Sequence, residues 1–130
     1  MLREGPIPAA VHGGVEYAAG LFLVAAPFLL DYQSGAAVAA SIVVGLAILA
    51  LTATSALPTG LVAAITPGVH VTVDYVSVVL LVALPFVLDF RAETLPTTVF
   101  LALGVAHLLL TIGTRFPVPA RDEVAPPASP

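Results

Sequence analysis

The chain of 130 residues has no cysteine, no tryptophan and no lysine, and only 9% of it is charged. Each shortage removes something. Without cysteine there is neither a disulfide framework nor a thiolate metal site. Four scattered arginines against eight carboxylates give a formal net charge of −4 and no basic patch for nucleic acid. A water-soluble domain carries about 25% charged residues, so this chain could not cover its surface with polar groups. It is 59% hydrophobic, with a mean hydropathy of +1.09, and most of its surface must face lipid. The length suits one small domain.

A bilayer core about 30 Å thick needs roughly 20 mainly apolar residues per helix. Four stretches qualify: 11–30, 36–56, 69–88 and 95–113. The second and fourth hold no charge, the first holds Glu16 and the third Asp74. Turn formers separate them: Asp31 to Gly35, Pro58-Thr59-Gly60 with Thr66-Pro67-Gly68, and Asp89 to Thr94. Pro96 falls near the start of the fourth helix, where its missing N–H is tolerated. The expected organisation is an N-terminal segment at 1–10, a first hairpin at 11–56, a linker at 57–68, a second hairpin at 69–115 and a disordered tail at 116–130. Five prolines among small and charged residues argue for that disorder.

The first span is not expected to be a cleaved signal peptide. Arg3 is balanced by Glu4, Pro27 follows the obvious small-residue cleavage candidate, Val24-Ala25-Ala26, and the segment recurs at 69–90. With four spans both termini share a side, which carries Arg3, Arg115 and Arg121 against Arg91 alone on the other. The positive-inside tendency places the termini in the cytoplasm and Asp31, Asp89 and Glu93 outside. The expected location is the plasma membrane. The expected partners are the bilayer and either a second copy or another membrane protein, with no nucleic acid.

"AAPFLLDY" at 25–32 returns as "ALPFVLDF" at 83–90. Residues 11–32 and 69–90 share eleven identities in twenty-two positions, among them His12/His70, Tyr17/Tyr75, Pro27/Pro85, Phe28/Phe86 and Asp31/Asp89. Shared greasiness does not produce those. Glu16/Asp74 and Tyr32/Phe90 match in kind. With one extra residue in the second loop, 43–54 lies over 102–113, aligning Gly45 with Gly104 and Thr52 with Thr111. The fold class is therefore all-α, a transmembrane four-helix bundle of two tandem helical hairpins. Each unit has two spans, so the repeats are parallel, about an axis along the membrane normal. In each repeat the proline bends the outer end of a helix. Phe28, Tyr32, Phe86 and Phe90 are expected in the interfacial aromatic belt.

These features resemble the SPW-repeat family of small integral membrane proteins, whose units pair two transmembrane helices with a Ser-Pro-Trp motif near the end of the first. Ala26-Pro27-Phe28 and Leu84-Pro85-Phe86 stand in that place, and the resemblance covers about 12–113. The chain departs from the pattern in having no Trp and in carrying Asp31 and Asp89 beside the motif. The resemblance implies a membrane protein and transfers no catalytic residue.

His12 and Glu16 are four apart, as are His70 and Asp74, so each pair shares a helix face. Continuing the stripes adds Gly20, Leu23, Pro27 and Asp31, then Ser77, Leu81, Pro85 and Asp89. Helix 2 offers Ser41, Gly45, Thr52 and Ser55; helix 4 offers Gly104, His107, Thr111 and Thr114. Small and polar residues let membrane helices approach and hydrogen-bond, so the stripes are expected to meet inside. For Glu16 and Asp74 the favoured expectation is an interfacial first turn, with the acids snorkelling to the headgroups. Second comes an ion or substrate path, and last a bis-His haem or metal site. The di-iron bundle spacing is Glu-x-x-His, the reverse of the His-x-x-x-Glu found here. His107, whose repeat partner is Ile48, is expected first to hydrogen-bond a neighbouring Ser or Thr and second to act in a proton relay. No nucleophile–base motif, phosphate loop or zinc signature appears. The expectation is a structural or accessory membrane component, not an enzyme, with no cofactor. The rival is a small proton-coupled transporter working through Glu16 and Asp74. Small multidrug exporters also have four spans and an essential Glu in the first, though deeper in the bilayer.

Overall fold

In the computed structural model, residues 5–117 are described. Arg3, Arg121 and the part of the expected disordered tail from 118 onward lie outside them. The described chain runs β1 (Ile7–Pro8), α1 (Ala9–Leu29), α2 (Gly35–Thr54), α3 (Pro67–Val87), α4 (Thr94–Gly113) and β2 (Thr114–Arg115). All four helices are long and apolar enough to cross a membrane, with hydropathies of 1.4, 2.4, 1.9 and 1.9. Their outer faces carry large apolar side chains such as Leu21, Leu29, Val43, Val79 and Leu109, each more than 60% exposed. In water that surface would be a severe liability; against acyl chains it is the expected coat.

The helices begin where their caps allow. Ser34 accepts from the Ala37 N–H at 3.2 Å, and Thr66 precedes Pro67 at the first position of α3. α1 packs mainly on α2, and α3 on α4, so each repeat is a closed hairpin. Two small devices join them at the end bearing the termini. β1 pairs in parallel with β2, Ile7 opposite Thr114, and a parallel bridge joins Ser55 to Ile65. Ile65 is the repeat counterpart of Ile7, and Ser55 that of Thr114, so the pseudo-twofold axis relates the two joints.

The repeated phrase is a helix-ending device. Asp31 and Asp89 adopt φ of 52° and 54°, the left-handed region. The Tyr32 N–H then bonds the Pro27 carbonyl and the Phe90 N–H the Pro85 carbonyl, both at 3.0 Å. That six-to-one bond is a Schellman stop with Asp where Gly is usual. The motif folds the next aromatic inward, which corrects the belt expectation for two residues. Tyr32 and Phe90 are 7% and 2% exposed and belong to the core, whereas Phe28 and Phe86, 72% and 50% exposed, point outward. The core they enter is built on Leu23, Ile48, Leu81 and Phe100.

Pro27 lacks the N–H that would bond the Leu23 carbonyl. The Ser41 hydroxyl donates to that carbonyl instead, at 2.6 Å. In the second repeat Phe100 occupies the position equivalent to Ser41, so the repair is particular to the first. Gly20 and Gly45 face each other closely across the first hairpin. A Cβ on Gly45 would lie 2.8 Å from the Gly20 carbonyl oxygen. A Cβ on Gly104 would meet the Val82 Cγ2 at 2.9 Å.

Candidate functional site

α1 and α3 lie diagonally across the bundle, α1 beside α2 and α4 and α3 beside α4 and α2, and turn their His-x-x-x-carboxylate faces toward each other. The repeat places Glu16 and Asp74 each seven residues into its helix, about 10 Å along the axis at 1.5 Å per residue. His12, Glu16, His70 and Asp74 are all 0% exposed, and His107 from α4 is 6% exposed. The acids therefore do not snorkel to the headgroups. The hairpins pack their polar faces together, and this depth lies inside the bundle.

The four side chains form a ring. His12 Nε2 is 3.3 Å from Glu16 Oε1 and 3.3 Å from Asp74 Oδ2. His70 Nε2 is 3.3 Å from Glu16 Oε2 and 3.4 Å from Asp74 Oδ1. His107 Nε2 approaches Asp74 Oδ1 at 3.6 Å and Glu16 Oε1 at 3.9 Å. Each carboxylate thus faces both imidazoles, one from its own helix and one from the other repeat. His107 stands where the first repeat has Ile48, so it breaks the symmetry.

The outer nitrogens are held by hydroxyls just past the ends of α2 and α4. His12 Nδ1 lies 2.8 Å from Thr114 Oγ1, and His70 Nδ1 lies 2.6 Å from Ser55 Oγ. Those hydroxyls are already donors, to the Leu110 and Leu51 carbonyls, both at 2.6 Å. A hydroxyl has a single hydrogen. Each Nδ1 must therefore carry a proton and donate it, and Nε2 is turned toward the carboxylates. Thr52 donates to Glu16 Oε2 at 2.9 Å. Its counterpart Thr111 has no partner among the described residues; Asp74 is a methylene shorter than Glu16.

The ring has two boundaries. Phe116, after β2, lays its ring edgewise against His12 at 5.0 Å between centroids and lies 6.2 Å from His70, covering the end toward the termini. Toward the middle of the bundle, Glu16 and His107 border a cavity of about 50 Å³ between α1 and α4, otherwise walled by Leu23, Ile48, Leu81 and their apolar neighbours. It has room for a few waters. Chemically the centre offers three imidazoles and two carboxylates, groups that pass protons or ligate a metal.

The sequence pointed to these five residues and to their spacing. It did not show that the two repeats bring them together, nor that His107 joins them: among the described residues His107 turns its Nε2 to Asp74 and Glu16 rather than to a Ser or Thr. Ser55 and Thr114 fall on the inward stripes, and helical periodicity alone does not pair them with the histidines. The signal was present: both follow their helix ends by one residue in each repeat. The repeat-motif residues Pro27, Phe28, Asp31, Pro85, Phe86 and Asp89 lie at the opposite end and take no part in the centre.

Four apolar helices in two repeated hairpins, closed on a buried polar centre, define a multi-pass membrane protein of duplicated architecture. The chain matches the SPW repeat domain over residues 10–114 and belongs to the SPW-repeat family. No curated protein and no solved structure matches it.

Proposed function

We propose that this protein is an accessory component of the cell membrane, not an enzyme, and that its polar centre is what joins the two hairpins. The observation carrying this reading is the crossed pairing, in which each carboxylate faces a histidine from the other repeat. The repeats also share an apolar core, with Leu23 and Ile48 of the first beside Leu81 and Phe100 of the second, and the centre adds the polar, directional part of the link. Buried polar groups of this kind favour one mutual arrangement of the hairpins over slipped alternatives. Removing one partner of a buried ionic set costs about 3–5 kcal/mol. Glu16→Gln and Asp74→Asn should each lower the melting temperature of the full chain in detergent; variants that melt like the parent would overturn the role. Substrate turnover by the purified protein, lost in His12→Ala or His70→Ala, would overturn the non-enzymatic reading.

In this reading both termini are cytoplasmic, supported by Arg3, Arg115 and Arg121 on one side against Arg91 on the other. A second reading, proton-coupled transport, is favoured by one observation: the cavity between α1 and α4 reaches Glu16 and His107. It requires proton-driven uptake into liposomes that Glu16→Gln abolishes, and absence of uptake by the parent removes it.

A further inference from the structure

We infer that the centre is a binding site for a divalent transition metal of the zinc class, held by His12 Nε2, His70 Nε2 and the carboxylates of Glu16 and Asp74, with His107 Nε2 at its edge. This rests on the reading that the centre joins the hairpins and names the chemistry that would do so. It departs from the sequence-level expectation of no cofactor.

Three observations carry it. The first is the tautomer. With Nδ1 donating to Ser55 or Thr114, an imidazole that is not doubly protonated aims its Nε2 lone pair at carboxylate oxygens. Two acceptors in a dry interior repel unless something positive lies between them. Ligating histidines that donate their other N–H to a fixed oxygen are the usual arrangement around a metal.

The second is distance. A charge-assisted N–H···O contact closes to about 2.7–2.9 Å. The four ring separations are 3.3, 3.3, 3.3 and 3.4 Å. Bonds of about 2.0–2.1 Å to a tetrahedral ion set its ligands about 3.3–3.4 Å apart, the tetrahedral edge being about 1.63 bond lengths. Ligand atoms from all four side chains lie within 4.8 Å of one another. In a tetrahedron every ligand pair is such an edge, so the ion engages one oxygen of each carboxylate and the widest separation closes by up to about 1.4 Å.

The third is the inventory of unpartnered groups. Among the described residues, His12 Nε2, His70 Nε2, His107 Nε2, Glu16 Oε1 and both Asp74 oxygens are buried without a hydrogen-bond partner. Native interiors leave few such atoms, and here they converge on one point. A divalent ion satisfies them together and balances the two carboxylate charges, which an isolated buried pair of acids could not sustain.

The donor set narrows the ion. Nitrogen and carboxylate oxygen without thiolate suit Zn²⁺, Co²⁺, Mn²⁺ or Fe²⁺ and disfavour Cu⁺ or an iron–sulfur cluster. A haem does not fit: both Nε2 atoms face the same two carboxylates, so a porphyrin plane between the imidazoles would pass through them.

The test uses the full chain in detergent, stripped with chelator and titrated with Co²⁺, then with Zn²⁺ in competition. The expected result is near-stoichiometric binding, with the intense visible bands of four- or five-coordinate Co²⁺, bleached by Zn²⁺. His107→Ala should retain the ion and change the Co²⁺ spectrum. Ser55→Ala, which removes the support of one ligand and no ligand itself, should weaken Co²⁺ binding by about 10–100-fold. A parent chain that binds neither ion at stoichiometric level, or whose bands persist unchanged in His12→Ala/His70→Ala, overturns the site. Melting separates this from the joining role: no metal in the parent, with Glu16→Gln still destabilising, removes the metal and leaves the role. Stoichiometric metal with an unchanged melting temperature does the reverse.

Discussion

At the residue scale the proline in each repeated phrase has a consequence its neighbours settle differently. Ser41 caps the Leu23 carbonyl that Pro27 leaves free. Leaving a buried acceptor without a donor costs about 1–3 kcal/mol. Ser41→Ala should be destabilising by that order, and far less so in a Pro27→Ala background, where residue 27 regains its own N–H. A double-mutant cycle read by thermal denaturation in detergent checks this, with non-additivity the expected outcome. Tyr32 is a second case. Its hydroxyl is buried without a partner among the described residues. Burial, and then the nearby Glu93 charge, push its ionisation above the usual value near 10. The folded state therefore holds this proton more tightly than the unfolded one. Its contribution is complete below about pH 10 and is lost as pH rises through the folded value. Tyr32→Phe should remove part of the alkaline destabilisation and, by removing a buried unpartnered hydroxyl, raise the neutral-pH melting temperature.

At the scale of elements, the glycines of the two hairpins are not equivalent despite their alignment. Gly45 faces backbone, the Gly20 carbonyl, whereas Gly104 faces the tip of Val82. Backbone cannot yield, and a valine rotamer can. Leucine at either position should cost about 1–3 kcal/mol or more by overpacking. Alanine should separate them: Gly45→Ala loosens the first hairpin, and Gly104→Ala is nearly silent by thermal denaturation. The Schellman stops make a related prediction. Asp31 and Asp89 sit at positive φ, where an L-residue is strained by roughly 1–2 kcal/mol. Asp31→Gly should stabilise the corner and Asp31→Val should weaken it, read again by melting temperature.

At the scale of the molecule, the repeat makes two hairpins into one bundle through joints at opposite ends. At one end lie the polar centre and the paired joints Ile7/Thr114 and Ile65/Ser55. At the other, Glu93 accepts the Gln33 and Ser34 N–H groups at 2.6 and 2.9 Å, tying the two loops together. The proposed orientation puts that second end outside. Because the chain has no cysteine of its own, Ala92→Cys should react with an impermeant thiol reagent on intact cells, and Ala63→Cys only after permeabilisation. The reverse pattern would invert the topology.

What the sequence determined by itself was what depends on local pattern: four spans, their duplication, the helix ends within about two residues, and the five ionisable side chains inside them. Hydrophobic length and repeat identity carry that information without reference to any partner. Only the tertiary structure decided where the ionisable groups went. A carboxylate a few turns into a helix can reach for headgroups or face a neighbour, and helical periodicity is the same in both cases. The choice was made by the polar faces of α1 and α3 meeting across the bundle, with Thr52 of α2 and Ser55 and Thr114, just past the ends of α2 and α4, supplying hydrogen bonds. The same holds for Tyr32 and Phe90, two residues beyond their helices: the left-handed turn at Asp31 and Asp89, not their aromatic character, sent them into the core.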